Sequence, residues 1–291
     1  MQYELKNDTI TAVFDSLGAE LRSLKSADGT EYLWQGDPAY WAGRAPNLFP
    51  IVGRLTEGKY TYRGAVYEMN LHGFARKSEF ETVEHSAGKI VFALTENEAT
   101  LASYPFSFRF TVTYGLNGGT LDTIYGVENT GADELIFALG GHPGFNVPIG
   151  GEGRFEDWHL QFEPACAAAT ELILSPTCYM TEETKPFPLP GGRLDLEHKL
   201  FDNDAIVLAD MPKSVALKSG KSKRSVTVRY DGMRYLGLWH KPLSDAPYVC
   251  IEPWMSLPAY DGRMDDLQTK RNTVRLEPGG TYTNGFSISI T

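Results

Sequence analysis

Two imidazoles and one carboxylate, each in an apolar stretch bounded by glycine or proline, are the residues of this chain best suited to chemistry. They are His72 in Asn70-Leu-His-Gly-Phe-Ala-Arg76, His142 in Gly140-Gly-His-Pro-Gly-Phe-Asn146, and Glu252 in Cys250-Ile-Glu-Pro-Trp254. An imidazole gains or loses a proton near neutral pH. A carboxyl ending an apolar strand is costly to desolvate, so its pKa should rise towards neutrality. Together the three can put a proton on one atom of a substrate and take one off its neighbour, which is general acid–base catalysis.

Each residue also has a plainer reading. Glu252 could pair with an arginine at a strand end, and either histidine could do no more than hold a loop carbonyl. Arg54, in Ile51-Val-Gly-Arg-Leu55, and Arg76 each need a partner if buried, and protein or substrate could supply it. Trp34, Trp41, Phe145, Trp239 and Trp254 are core candidates first. Trp239 and Trp254 lie beside His240 and Glu252, so one of them could offer an apolar face to a sugar ring. His240, His159, His85 and His198 lack Gly/Pro surroundings and read as structural or surface residues.

The three clusters are far apart in sequence, and a β scaffold is what brings such segments together. Short runs rich in Val, Ile, Phe, Tyr and Thr recur throughout: Ile10–Phe14, Glu79–Val83, Ile90–Leu94, Phe108–Tyr114 and Ser225–Tyr230. Bulky residues alternate in Phe108–Tyr114, the period of a strand with one buried face. In Tyr248–Glu252 the same alternation puts Tyr248, Cys250 and Glu252 on one face. Hairpin turns are expected at Arg63-Gly64, Asn117-Gly-Gly119, Asn129-Thr-Gly131 and Asp231-Gly232. Only Asp37–Trp41 and Glu96–Ser103 suggest helices, each short. The expectation is an all-β chain, a large antiparallel β-sandwich forming one domain over residues 1–291, with Thr184–Gly192 as a loop inside it.

The formal net charge is −10, which argues against a nucleic-acid or anionic-membrane partner. The basic run Lys218–Arg229 reads as a hairpin with a solvated face. No basic n-region precedes an apolar stretch, no window is long enough to span a bilayer, and the three cysteines have no metal-ligand spacing. A reducing cytoplasm is the expected location. The chain lacks GxSxG, P-loop and His-Glu-x-x-His motifs. Asp265-Asp266 reads as a solvated turn rather than a glycosidase dyad.

The ordered set Asn47-Leu-Phe-Pro-Ile-Val-Gly-Arg-Leu-Thr-Glu-Gly58, His72-Gly-Phe-Ala-Arg76, Gly141-His-Pro-Gly-Phe145 and Glu252-Pro-Trp254 resembles the aldose 1-epimerase (galactose mutarotase) family over essentially the whole chain. The likeness is strongest to the shorter bacterial branch related to lactose-operon proteins. It implies a β-supersandwich with an open sugar groove, no cofactor and no metal, and interconversion of the α and β anomers of an aldose. Glu252 matches the general base that takes the C1 hydroxyl proton, and His142 the acid that protonates the ring oxygen. His72 matches the second histidine, and Arg54 the sugar-contacting arginine. Beside these, Trp239 and Phe145 are candidate sugar contacts read from their place in the clusters. The family's substrate aspartate falls on Asp202 or Asp204, with Asp204 preferred. Arg76 also resembles a phosphate-binding arginine of hexose-phosphate mutarotases. A non-catalytic carbohydrate-binding protein on the same scaffold is the remaining alternative.

Overall fold

The computed structural model describes residues Met1–Thr291. Two large antiparallel sheets dominate it. The first has nine strands in the order Arg193–Asp195, Trp158–Glu163, Ser214–Ser219, Ser225–Arg229, Thr281–Ile290, Thr120–Asn129, Phe108–Asn117, Lys89–Thr95 and Glu81–His85. The second has eight. Seven run in the order Met180–Pro188, Ala168–Leu174, Ile206–Ala209, Tyr235–Trp239, Tyr248–Trp254, Gly140–Gly141 and Asn47–Leu48, and Gly144–Asn146 also pairs with Tyr248–Trp254. A three-stranded sheet, Gln2–Lys6, Ile10–Asp15 and Glu20–Ser26, flanks them.

Alternation is obeyed where it is clearest. Phe108, Phe110, Val112 and Tyr114 are buried while Arg109, Thr111 and Thr113 are half-buried. They join one continuous apolar core that runs from Leu5 to Ile290. Val249 and Ile251 enter this core, whereas Tyr248, Cys250 and Trp254 belong to smaller clusters on the other side of their sheet. Glu252 shares that outer face. No helix is long and apolar enough to cross a membrane.

The turns divide. Arg63 and Gly64, both at positive φ, close the hairpin of Lys59–Tyr62 and Ala65–Glu68, as a two-residue turn of that twist requires. Gly118-Gly119 closes the next expected hairpin, and Ser214–Ser219 with Ser225–Arg229 forms the basic one. Asn129-Thr-Gly131 and Asp231-Gly232 do not make hairpins. After Asn129 the chain leaves to pair Leu135–Phe137 with Val274–Leu276. Asp231-Gly232 instead carries the chain from the nine-stranded sheet to the eight-stranded one. A turn signal marks a reversal, and the buried faces on either side decide which sheet receives the next strand.

Four further expectations are corrected. Asp37–Trp41 is a single turn, with Asp37 accepting from the backbone N–H of Ala39. The helix near Glu96 is real but begins at Glu98, where Asn97 and Thr100 cap its first turn reciprocally. Thr184–Pro188 lies within the edge strand Met180–Pro188, a position that tolerates proline. Asp265 is no solvated residue: it is buried and paired with buried Lys270 at 2.5 Å.

Candidate active site

The strand pairing on either side of His142 fixes where its side chain emerges. Gly140 lies opposite Trp254 and Gly144 opposite Cys250, so His142 falls across from Glu252 on the neighbouring strand. His142 Nε2 is 3.2 Å from Glu252 Oε2, with only 10% and 2% of the two side chains exposed. The angles do not make this a hydrogen bond: Glu252 Oε2 and His142 Nδ1 are both buried without a partner. Two uncommitted titratable groups therefore face each other at proton-transfer distance.

Burial pushes the Glu252 carboxyl well above the usual carboxylate range, and the charge of Asp204 adds to the shift. The nearby Trp254 indole N–H opposes it. Burial also holds the His142 imidazole well below its ordinary value, and the positive charge of Arg76 adds to that. Trp41 explains much of the desolvation. Its ring stacks on His142 at 4.9 Å, while Trp239 meets the imidazole edge-on at 5.8 Å.

His72 approaches from the second cluster, edge-on to His142 at 5.5 Å. Its Nδ1 accepts a hydrogen bond from the Gly53 N–H at 3.0 Å, which leaves the proton on Nε2 and makes that atom a donor. Burial, followed by the charges of His142, Arg76 and Arg54, keeps the ring below its ordinary pKa and hence neutral near pH 7. The next residue has to be glycine. At φ +75° a Cβ on Gly73 would lie 2.2 Å from the Phe49 carbonyl oxygen.

These groups line a cavity of about 250 Å³ whose wall includes Trp41, Arg54, Arg76, Cys178, Asp204 and Trp239. Asp204 Oδ1 accepts from the Trp239 indole N–H at 2.7 Å, which fixes the plane of that ring. Arg54 and Arg76 reach the cavity with no protein carboxylate to meet them; the arginine ion pairs of this protein all lie elsewhere. Arg76 Nε is buried without a partner. His72, Cys178 and Asp204 adopt positive φ, backbone strain of the kind that concentrates at functional sites.

Seven of the eight residues singled out from sequence thus line the same cavity: Glu252, His142, His72, Arg54, Arg76, Asp204 and Trp239. Asp202, the other aspartate considered, is exposed and does not line it. Phe145 is the exception. Its backbone pairs with Val249, so its side chain turns to the opposite face, fully buried in the main core. Trp41 and Cys178 are cavity residues that the sequence reading did not place. Trp41 carried a usable signal, because Gly43 two residues later has room only for hydrogen where the indole folds back against it.

A profile described as Aldose 1-epimerase matches residues 1–289. The chain belongs to the aldose 1-epimerase family. Among relatives of this chain are the plasmid and chromosomal LacX proteins of Lactococcus lactis subsp. lactis, each 33% identical over 298 residues covering 100% of this chain and 99% of theirs. A galactose mutarotase related enzyme from Lactobacillus acidophilus superposes with a TM-score of 0.96 at 34% identity, covering 100% of this chain and 97% of the other. A galactose mutarotase-like protein from Lactobacillus casei ATCC 334 does so at 0.94 and 31% identity, with full coverage of both chains. The family is named for an isomerase activity, and the antiparallel β architecture of this chain is that of its mutarotase-like neighbours.

Proposed function

We propose that this protein is an aldose 1-epimerase that interconverts the α and β anomers of a hexose by opening and reclosing the ring. The observation that carries the reading is the 3.2 Å approach of His142 to Glu252 inside a cavity of about 250 Å³. The two atoms that must exchange protons, the anomeric oxygen and the ring oxygen, are bonded to the same carbon. Their catalysts must therefore stand side by side, as these do.

In the productive form Glu252 is a carboxylate and His142 an imidazolium, each offsetting the charge of the other. Glu252 takes the proton of the anomeric hydroxyl as electrons close the C1=O bond. The C1–O5 bond breaks, and His142 delivers its proton to O5. The imidazole and the protonated carboxyl that remain are the forms burial favours. Rotation about C1–C2 presents the other face of the aldehyde, and the same two proton transfers in reverse close the ring. His72 Nε2–H donates to the substrate near the ring oxygen, Arg54 binds hydroxyls, and Trp41 and Trp239 wall the sugar's C–H faces. No step of this scheme calls for a cofactor or metal.

Exchange NMR or polarimetry on fresh α-glucose and α-galactose tests the reading. Acceleration over buffer should be present in the parent and lost in Glu252→Gln with folding intact; an equally fast variant overturns it. Saturable sugar binding with no acceleration would instead make this a binding protein.

A phosphorylated hexose is the second reading, favoured by the two guanidinium groups without carboxylate partners. It requires preference for glucose 6-phosphate over glucose, abolished in Arg76→Ala. We further read residues 1–291 as a single domain, on the strength of the continuous core. Three free thiols suit a reducing, cytoplasmic setting.

A further inference from the structure

Cys250 has no part in the proton transfers, yet it stands beside them. It precedes Glu252 by two residues on one strand, so both side chains leave the same face of the sheet. The donor atoms of His142, Cys250 and Glu252 all lie within 4.8 Å of one another, and all three residues are buried. Gly144, opposite Cys250, lets the sulfur and the Trp41 ring pack close to the backbone: a Cβ there would come within 3.3 Å of Sγ and 3.1 Å of Trp41.

We propose that His142, Cys250 and Glu252 form a binding site for a thiophilic divalent cation, such as Zn²⁺, which occupies the proton-transfer pair and silences it. Four features support this. The donor set is one nitrogen, one sulfur and one oxygen, all accepted by zinc, and three protein ligands with one open position is a common zinc arrangement. Bond lengths of about 2.0–2.3 Å at tetrahedral angles put ligand atoms roughly 3.3–3.6 Å apart, so His142 and Glu252 at 3.2 Å already have the required spacing. All donor pairs lie within 4.8 Å, so closing the triad on an ion takes a shift of about an ångström.

Two of the donors are also uncommitted: Cys250 is a free thiol, and Glu252 Oε2 is buried without a hydrogen-bond partner. Charge balance completes the case. On binding, the thiol and the carboxyl release their protons to solvent. One thiolate and one carboxylate then cancel a charge of +2, so the filled site is neutral and suits a buried setting. The fourth position faces the cavity, where water or a sugar oxygen can enter.

The metal site does not depend on the proposed reaction; only the silencing rests on it. The test is titration of the protein with Co²⁺, followed by absorption. Thiolate-to-cobalt charge transfer and the strong ligand-field bands of a tetrahedral ion are expected in the parent. Cys250→Ser should lose the charge-transfer band and bind Co²⁺ at least about tenfold more weakly, the lower end of the cost of disturbing even an outer-sphere partner. Cys178→Ser, removing the thiol that lines the cavity, should leave both unchanged. Absence of the band in the parent, or its survival in Cys250→Ser, overturns the proposal. Should the serine variant not fold, cadmium NMR of the parent reads the donor set directly, and a signal without sulfur ligation overturns it equally. Zn²⁺ should then stop anomer exchange in the parent, and a chelator should restore it. Intact spectra with undiminished exchange would overturn the silencing, whereas intact spectra with no exchange even in metal-free protein would count against the epimerase reading alone.

Discussion

Asp204, a residue at positive φ, accepts the indole N–H of Trp239 at 2.7 Å, and its charge raises the pKa of Glu252. One carboxylate thus orients an aromatic wall and biases the protonation of the neighbouring carboxyl. The two roles separate by substitution. Asp204→Asn keeps an acceptor for the indole but removes the charge, so the acid limb of the rate–pH profile should move to lower pH with KM nearly unchanged. Asp204→Ala loses both. A hydrogen bond to a charged group contributes about 1.5–3 kcal/mol, so KM should rise about tenfold or more, measured by exchange NMR across sugar concentrations.

Glu252 should cost the fold stability near neutral pH. Its folded pKa lies above its unfolded value, so between the two the native state holds a proton that the unfolded state has released. Stability falls as pH rises through that window, by up to about 1.4 kcal/mol per pH unit. Glu252→Gln removes this slope. Denaturant melts should show the variant more stable than the parent at pH 7, with the gain shrinking towards pH 4. A parent as stable as the variant at pH 7 would contradict the direction of the shift.

The imidazoles act at the other end of the scale. His72 and His142 are held below their ordinary values, and His240 sits at about 4, burial being the first cause in all three. Their unfolded forms take up protons below about pH 6.5, while the native forms resist. The stability they confer is therefore complete above that pH and lost as pH falls through the window down to the folded values. His240 stands apart from the cavity lining, so His240→Phe should flatten part of this acid loss without changing the anomer-exchange rate.

Trp41 lies over the face of His142, and removing it should let water reach the imidazole. In Trp41→Leu the His142 ring should titrate at least about one unit higher by NMR, equivalent to ~1.4 kcal/mol. The exchange rate should fall as the cavity wets.

His72→Asn tests the role of the second histidine. Asparagine tolerates the left-handed backbone, so the fold should hold while the Nε2–H donor is lost. A donor aimed at developing charge is worth roughly 10²–10³ in kcat, and a loss confined to KM would mean that His72 only positions the sugar.

The strand pattern and the glycine- and proline-bounded clusters made most of this site readable from residue order. His142 and Glu252 stood out because polar groups in apolar strands need a reason to be there. Phe145 was misplaced because a motif names neighbours in sequence, while the two-residue period of a strand sends adjacent side chains to opposite faces. The same rule, applied across from Val249, would have put Phe145 in the core. Trp41 escaped because its role comes from stacking on a residue 101 positions away, and single-chain periodicity carries no such pairing. Asp265 looked solvated among polar neighbours, and only its tertiary partner Lys270 accounts for its burial.

Glu252 lies on Tyr248–Trp254, and His142 is held in the two-residue break between Gly140–Gly141 and Gly144–Asn146, which both pair with that strand, whereas Arg54, Arg76 and Cys178 come from longer connections. The distance between His142 and Glu252 is therefore set by the regular repeat of peptide groups and not by any flexible segment. A lineage built on this frame can rewrite its rim, and on the proposed reading its choice of sugar, while the His142–Glu252 pair stays as it is.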